Sequence, residues 1–160
     1  MKKIFTLIAA IMIAFAANAQ DSKMAAGVNF NVGFGDSWTN CGLGAKYQYS
    51  FTEHWRGEAS FNYFFKKDYV SKWDANLTAH YLFNLGSNGF KLYPLAGIGL
   101  VGWKADTGWG DSSSTDFGFH YGLGAEYPLS DSWKINAELK GQTADGDTRG
   151  IFSIGCAFCF

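Results

Sequence analysis

The amino-acid sequence predicts an all-β fold, an eight-stranded antiparallel up-and-down transmembrane β-barrel, on three observations. A content of 20 Gly, 2 Pro and 18% aromatic residues favours strands and tight turns over helices. Apolar and polar residues alternate in eight segments, each about as long as the roughly 9 to 11 residues that a tilted strand needs to cross a membrane. The apolar face of those segments contains no Asp, Glu, Lys, Arg or His. Exclusion of this kind indicates contact with lipid, where a midplane Lys or Arg costs about 2–4 kcal/mol.

The N-terminus predicts export from the cytoplasm. Two lysines precede an apolar run over residues 4–17, which is followed by a small-x-small cleavage site, Ala-Asn-Ala. That run is shorter than the roughly 20 residues of a membrane-spanning helix. We therefore predict a signal peptide over residues 1–19 and one barrel domain over residues 20–160. Loss of the two lysines moves the formal charge from −1 to −3, which provides no basic surface for nucleic acid.

Eight strands follow one another along the predicted domain. They are expected at residues 25–34, 41–51, 55–65, 73–83, 90–102, 117–128, 133–142 and 151–160. The fourth shows the pattern clearly, because Trp73 and Leu77 lie in the apolar phase while Asp74 and His80 lie in the polar phase.

The connections predict which end of the barrel faces the periplasm. Short turns near Glu53, at residues 85–89 and at residues 130–132 are expected on the periplasmic side, together with both ends of the domain. The longest loop, Lys104 to Asp116, then faces the cell exterior. The other outer connections are short, which disfavours a large protein interface and leaves Trp109 as the candidate anchor for a surface partner.

Side-chain volume decides which face points inward. The charge-free face carries large aromatic residues such as Tyr47, Phe61 and Phe119. An eight-stranded barrel has room inside only for modest side chains. The opposite face is rich in Gly, Asn and Ser, which fit a narrow lumen. We therefore predict a barrel that is apolar outside and polar inside, and closed because an open sheet edge would leave backbone groups unpaired in hydrocarbon.

The polar face carries charges of both signs, which we predict to form a network in the lumen. Its members are Lys46, Arg56, Glu58, Asp74, Lys91, Glu126, Lys134, Glu138 and Lys140. Buried charges must be paired or hydrated, and the near balance of signs favours pairing. The expected partners are Glu126 with Lys134, Lys46 with Glu58, and Glu138 with a cation from a facing strand. We predict that this network plugs the lumen and fixes the strand register.

Three segments of the sequence resemble those of a known family. Ser153-x-Gly155-x-x-Phe158-x-Phe160 resembles the C-terminal targeting signal of outer-membrane β-barrels. GLGAKYQYSFTEHW at residues 42–55 and GLGAEYPLSDSW at residues 122–133 are similar to the family's recurrent strand, Ser/Thr-acid turn and interfacial Trp. The mature chain as a whole resembles the small eight-stranded outer-membrane β-barrels (OmpA-transmembrane-like, porin family).

This resemblance implies a location in the bacterial outer membrane and a mainly structural or surface role. It implies outer-membrane lipids and lipopolysaccharide as partners, and recognition of the C-terminal strand by the barrel assembly machinery. It also permits a narrow pore for ions or small solutes, gated by the lumen charges.

A lipid-modifying enzyme is the second alternative, since some small outer-membrane barrels act on lipids with a His, a Ser and an acidic or amide residue. The best candidate in this chain is His120, which is expected near the surface rim beside residues 112–114. No Ser-His pair is evident from spacing. We therefore predict no enzyme, with no catalytic residue, no cofactor and no metal.

Two motifs are interpreted as parts of the barrel wall. Strand alternation sends Cys156 and Cys159 to opposite faces, so CAFC is predicted to be neither a redox nor a metal motif. With Cys41 far away, we expect three free thiols. Residues 97–102 match GxGxxG, but the nucleotide-binding motif requires those glycines between a strand and a helix. Here they are expected inside a strand, where they leave room in the lumen.

Overall fold

The computed structural model describes residues 23–35, 38–67, 70–106 and 111–160, so the predicted signal peptide lies outside the described residues. Within them, all regular structure is β. The strands are β1 (Met24–Gly35), β2 (Trp38–Ser50), β3 (Trp55–Lys67), β4 (Val70–Tyr81), β5 (Phe83–Leu85), β6 (Phe90–Asp106), β7 (Asp111–Pro128), β8 (Trp133–Ala144) and β9 (Asp147–Cys159). No described helix is long and apolar enough to cross a membrane.

These strands close into an antiparallel barrel with eight strand positions, because β4 and the short β5 occupy one position. Each strand pairs with its neighbour along the chain except β4 and β5, which both pair with β6, and β1 also pairs with β9. The short β5 continues in line with β4 after an interruption at Leu82. Every strand position therefore has a hydrogen-bonded partner on both sides, which removes the sheet edges that a bilayer does not tolerate. The predicted fold class is confirmed.

Two turns at one end of the barrel repeat the same local structure. The hydroxyl Oγ1 of Thr52 accepts a hydrogen bond from the backbone N of Trp55 at 3.0 Å. Ser130 Oγ accepts the equivalent bond from the N of Trp133 at 3.1 Å. The residue before each hydroxyl also donates its backbone N to the carbonyl of the same Trp. The repeated Ser/Thr-acid-x-Trp sequence is thus a hydroxyl-capped turn that starts the next strand at the Trp.

At the opposite end, the strands run further than the alternation of residues predicts. The loop expected at Lys104 to Asp116 is largely strand, since β6 continues to Asp106 and β7 begins at Asp111. Beyond the membrane both faces of a strand meet water, so the hydrophobic alternation is lost while backbone pairing continues. The last hairpin closes with Asp145 and Gly146, both at positive φ (49° and 80°), as a two-residue Asp-Gly turn requires.

The two faces of the barrel divide as predicted. Side chains of the charge-free phase point outward, and Tyr121, Leu123 and Leu77 remain 63%, 67% and 62% exposed. The polar phase points inward and contains buried Asn, Gln, Ser and charged residues. Gly97 and Gly99 lie inside β6 on the lumen side, where an added Cβ would meet His120 and Asn76 respectively.

We expect Gly122→Ala to destabilise the barrel by about 1–3 kcal/mol, because an added Cβ at Gly122 overlaps the carbonyl oxygen of Leu139 and the Cα of Lys140. The neighbouring strand must shift to admit it. Gly141→Ala is the matched control, since its nearest contact is the Tyr121 ring at an ordinary 3.4 Å. Urea unfolding of the two refolded variants in lipid vesicles measures the difference. Equal stability would show that the strands are not in the tight register described here.

Candidate functional site

The lumen is filled by buried polar side chains that form three layers along the barrel axis. The inner layer lies toward the capped turns and contains Arg56, His80, Lys91, Glu126 and Lys134. The middle layer contains Lys46, Glu58, Tyr93, Glu138 and Lys140. The outer layer contains Asn62, Asp74, Asn76, Gln142 and Arg149. Strand alternation aims each of these side chains inward, and the pairing register brings those of each layer together.

The inner layer is built around the carboxylate of Glu126. Arg56 Nη1 lies 2.5 Å from Glu126 Oε2, and Lys134 Nζ lies 3.3 Å from the same oxygen. Lys91 Nζ is 4.0 Å from Oε1. Arg56 also donates from Nε to Nδ1 of His80 at 3.2 Å. These contacts tie β3, β4, β6, β7 and β8 together at one level of the barrel.

The middle layer is built around Glu138, whose side chain is only 2% exposed. Its Oε1 accepts hydrogen bonds from Tyr93 Oη at 2.9 Å and from Lys46 Nζ at 3.4 Å. Its Oε2 lies 3.2 Å from Lys140 Nζ. Lys46 also approaches Glu58 Oε2 at 3.9 Å. Because three of these side chains come from β2, β6 and β8, Glu138 cross-links opposite walls of the barrel.

The outer layer is built around Asp74, which is fully buried. Arg149 Nη2 donates to Asp74 Oδ2 at 2.7 Å, and the amides of Asn62 and Asn76 donate to Oδ1 at 2.6 and 2.5 Å. Arg149 Nε donates to Gln142 Oε1 at 2.7 Å. The Arg149 guanidinium also lies 4.8 Å from the ring centroid of the buried Phe64.

A group of small polar side chains joins the outer and middle layers. Asn29 and Asn31 donate to Asn62 Oδ1 at 3.0 and 2.9 Å, and Ser153 donates to Asn31 Oδ1 at 2.6 Å. Ser153 of β9 lies opposite Glu138 of β8 in the strand register. The polar filling therefore continues without a break between two of the charged layers.

All nine charges assigned to the lumen from sequence lie there, and the structure contains the three expected pairings. Glu126 contacts Lys134, Lys46 contacts Glu58, and Glu138 contacts Lys46 of a facing strand. Sequence reasoning missed Arg149, because the eighth strand was predicted to begin at residue 151. The signal that could have found it is the spacing, since Arg149 stands in phase with Ile151 and Ser153.

The placement predicted for His120 near the surface rim is wrong. β7 begins at Asp111, so His120 lies midway along the strand and pairs with Gly97. Residues 112–114 are six or more positions away on the same strand, about 20 Å at the rise of an extended chain. His120 Nε2 instead lies 2.8 Å from the Thr78 hydroxyl inside the lumen. Trp109 lies outside the described residues.

The cysteines and the C-terminal segment lie where the alternation puts them. Cys41, Cys156 and Cys159 are all free thiols, as expected. Ser153 faces the lumen, and Phe158 stacks with the buried Phe160, with ring centroids 6.3 Å apart. Among the described side chains, no group of three or more His, Cys, Asp or Glu could hold a metal ion.

Comparison with protein families decides the identity of this fold. The profile of the outer membrane protein beta-barrel domain matches residues 4–160. The chain belongs to this family. It is accordingly a β-barrel of the bacterial outer membrane, and the end with the capped turns is the one predicted to face the periplasm. No curated protein has a sequence that matches this outer-membrane barrel.

Solved structures of outer-membrane barrels share its fold. The N-terminal β-barrel domain of Pseudomonas aeruginosa OprF superposes with a TM-score of 0.70 at 18% identity, covering 85% of this chain and 97% of that one. Neisserial surface protein A gives 0.70 at 17%, covering 86% and 96%. The attachment invasion locus protein Ail of Yersinia pestis gives 0.63 at 20%, covering 86% and 96%. At such identities the likeness concerns the fold alone.

Proposed function

We propose that this outer-membrane barrel has a mainly structural or surface role and that its charged network keeps the lumen closed. The observation that carries the proposal is the stack of three polar layers. Arg56 and Glu138 are 2% exposed and Asp74 is fully buried, so ions meet packed side chains at every level. Each central carboxylate is held by cations from other strands, and opening the lumen would separate buried ion pairs.

Planar-bilayer recording of the refolded mature chain tests this proposal. We expect no discrete conductance steps from the wild-type barrel, because buried side chains fill the central layers. Glu138→Ala and Lys46→Ala remove the middle cross-link and are expected to produce or lengthen openings. Glu53→Ala, in an exposed periplasmic turn, is the control. Regular steps from a wild-type barrel shown to be folded by its gel mobility before and after heating would contradict a closed lumen.

A narrow gated pore is the alternative, and one feature of the lumen favours it. A cavity of about 490 Å³ opens at the outer mouth above Arg149, and one of about 270 Å³ opens at the periplasmic mouth beside Lys134. Only the layered section separates these two vestibules. Rearrangement of the middle-layer ion pairs would join them, so steps in the wild type that change with Glu138→Ala would favour the pore.

We also propose that the barrel is not an enzyme, and the surroundings of its lumen histidines support this. His120 and its partner Thr78 are 4% and 7% exposed, and His80 is fully buried beneath Arg56. A membrane lipid would have to pass the barrel wall to reach either ring. Incubation of the folded barrel with radiolabelled lipopolysaccharide and phospholipid is expected to release no acyl chain, and release that His120→Ala abolishes would contradict this.

We propose that the partners of the barrel are outer-membrane lipids, lipopolysaccharide and the barrel assembly machinery. The outward aromatic and aliphatic side chains support the lipid contact, since many are about half exposed. On β9, Phe158 packs edge-on against Trp133 at 5.3 Å and stacks with Phe160. This aromatic cluster at the end of the chain is the part that an assembly factor could recognise.

A further inference from the structure

The charges of the lumen balance in two layers but not in the third. Among the described side chains, the middle layer sets two lysines against two glutamates, and the outer layer sets Arg149 against Asp74. The inner layer sets Arg56, Lys91 and Lys134 against Glu126 alone. His80 accepts a hydrogen bond at Nδ1 and so adds no positive charge there. Within these three layers, the excess of positive charge therefore lies at the periplasmic mouth.

Glu126 cannot neutralise this excess by itself. Its Oε2 already receives Arg56 at 2.5 Å and Lys134 at 3.3 Å, while Lys91 reaches only 4.0 Å from Oε1. Each ammonium carries three donors, so most N–H groups of Lys91 and Lys134 are directed elsewhere. The Lys134 side chain is 14% exposed and that of Lys91 35%, so both are accessible from the mouth but only partly hydrated. An uncompensated charge at such a depth requires a counter-ion or water.

The two lysines line a vestibule that a small anion can enter. The periplasmic cavity of about 270 Å³ is bounded by both, by the hydroxyl-bearing Ser50 and Ser130, and by the thiol of Cys159. Asp131 lies at its rim in an exposed turn, where water screens its charge. Ammonium and hydroxyl donors around this open cavity suit the several acceptor oxygens of a phosphate group.

We propose that the periplasmic vestibule binds a phosphate-class oxyanion between Lys91 and Lys134. Two sources supply that chemistry at this end of the barrel, namely free phosphate in the periplasm and the phosphate of a phospholipid headgroup at the inner leaflet. In either case the anion completes the inner layer and neutralises the two lysines. The proposal concerns binding at the mouth and holds whether or not the lumen conducts.

Cys159 provides a reporter inside the same vestibule. In a background with Cys41→Ala and Cys156→Ala, it is the only thiol of the mature chain. Its modification rate by an anionic and by a cationic methanethiosulfonate is measured in maltoside detergent without phosphate, each rate normalised to that of free cysteine. We expect the anionic reagent to be favoured about tenfold by two nearby positive charges. The double variant Lys91→Gln with Lys134→Gln should abolish the preference. Lys66→Gln, at the opposite end of the barrel, should leave it unchanged.

Protection of Cys159 then identifies the source of the anion. Slower labelling with inorganic phosphate, compared with chloride at equal ionic strength, supports a free oxyanion. Slower labelling only with short-chain phosphatidylglycerol supports a lipid phosphate. Equal rates for the two reagents, or a preference without protection by either phosphate source, would overturn the proposal. Protection by chloride equal to that by phosphate would overturn it as well. Gel mobility without heating shows that each variant is folded.

Discussion

Glu138→Gln is expected to lower the free energy of unfolding of the barrel by about 3–5 kcal/mol. One buried carboxylate accepts contacts from Lys46, Lys140 and the Tyr93 hydroxyl, at 3.4, 3.2 and 2.9 Å. The amide keeps the shape of the side chain but removes its charge. The side chains of Lys46 and Lys140 are 2% and 9% exposed, and they then lose most of the negative charge that compensates their own. The loss comes from the buried cations left behind rather than from a cavity.

Urea unfolding in lipid vesicles, followed by tryptophan fluorescence, measures this change. Glu53→Gln removes the same charge from an exposed turn and is expected to leave the free energy of unfolding within about 0.5 kcal/mol of the wild type. Adding Lys140→Met to Glu138→Gln removes one of the two stranded cations and should restore part of the loss. If Glu138→Gln matches the Glu53 control, the middle layer does not hold the barrel together through charge.

Asp74→Leu is expected to have an effect of similar size at the outer layer. Asp74 is fully buried and accepts from Arg149, Asn62 and Asn76. Its replacement leaves the Arg149 guanidinium, 7% exposed, without its carboxylate, at a cost of about 3–5 kcal/mol. Because Gln142 still accepts from Arg149, we expect the lower part of that range.

The double variant Asp74→Leu with Arg149→Leu separates pairing from packing. Replacement of both members of a buried ion pair by apolar residues of similar volume is often nearly neutral. We therefore expect the double variant to regain most of the stability lost in Asp74→Leu, which a double-mutant cycle in urea measures. Additive losses in the two single variants would mean that Asp74 and Arg149 do not interact as described.

The sequence predicts this barrel well where the membrane imposes a pattern. Trp55 and Trp133 mark periplasmic strand starts within one residue, because each follows a Ser/Thr-capped turn whose hydrogen bonds are local. Outward and inward faces are also predictable, since hydrocarbon excludes charge from one of them. Local hydrogen bonds are enough to predict the strand starts, and the boundary with hydrocarbon is enough to predict the two faces.

The outer ends and the lumen contacts are less predictable, for a different reason. Beyond the bilayer both faces of a strand meet water, so the sequence pattern does not show where the strand begins. In the structure, β7 begins six residues before its predicted start at residue 117, and His120 therefore lies at mid-barrel. The sequence pattern does not identify Arg149 for the same reason, because the residue lies before the predicted start of the eighth strand at residue 151. Its partner Asp74 is 75 positions away, and only the stagger of the closed sheet brings the two together. Which cation meets which carboxylate depends on that register.

Residue-level accessibility tests the central claim, a lumen sealed by side chains within a wall that faces lipid. In a cysteine-free background, Ser153→Cys places a thiol in the filled lumen, and Ile154→Cys places one on the lipid face of the same strand. In vesicles, we predict that a membrane-impermeant maleimide labels neither within hours, while a lipid-soluble maleimide labels only position 154. In the chain that keeps Cys159 as its single cysteine, this thiol at the open mouth should label readily. Rapid labelling of position 153 by the impermeant reagent would contradict the sealed lumen.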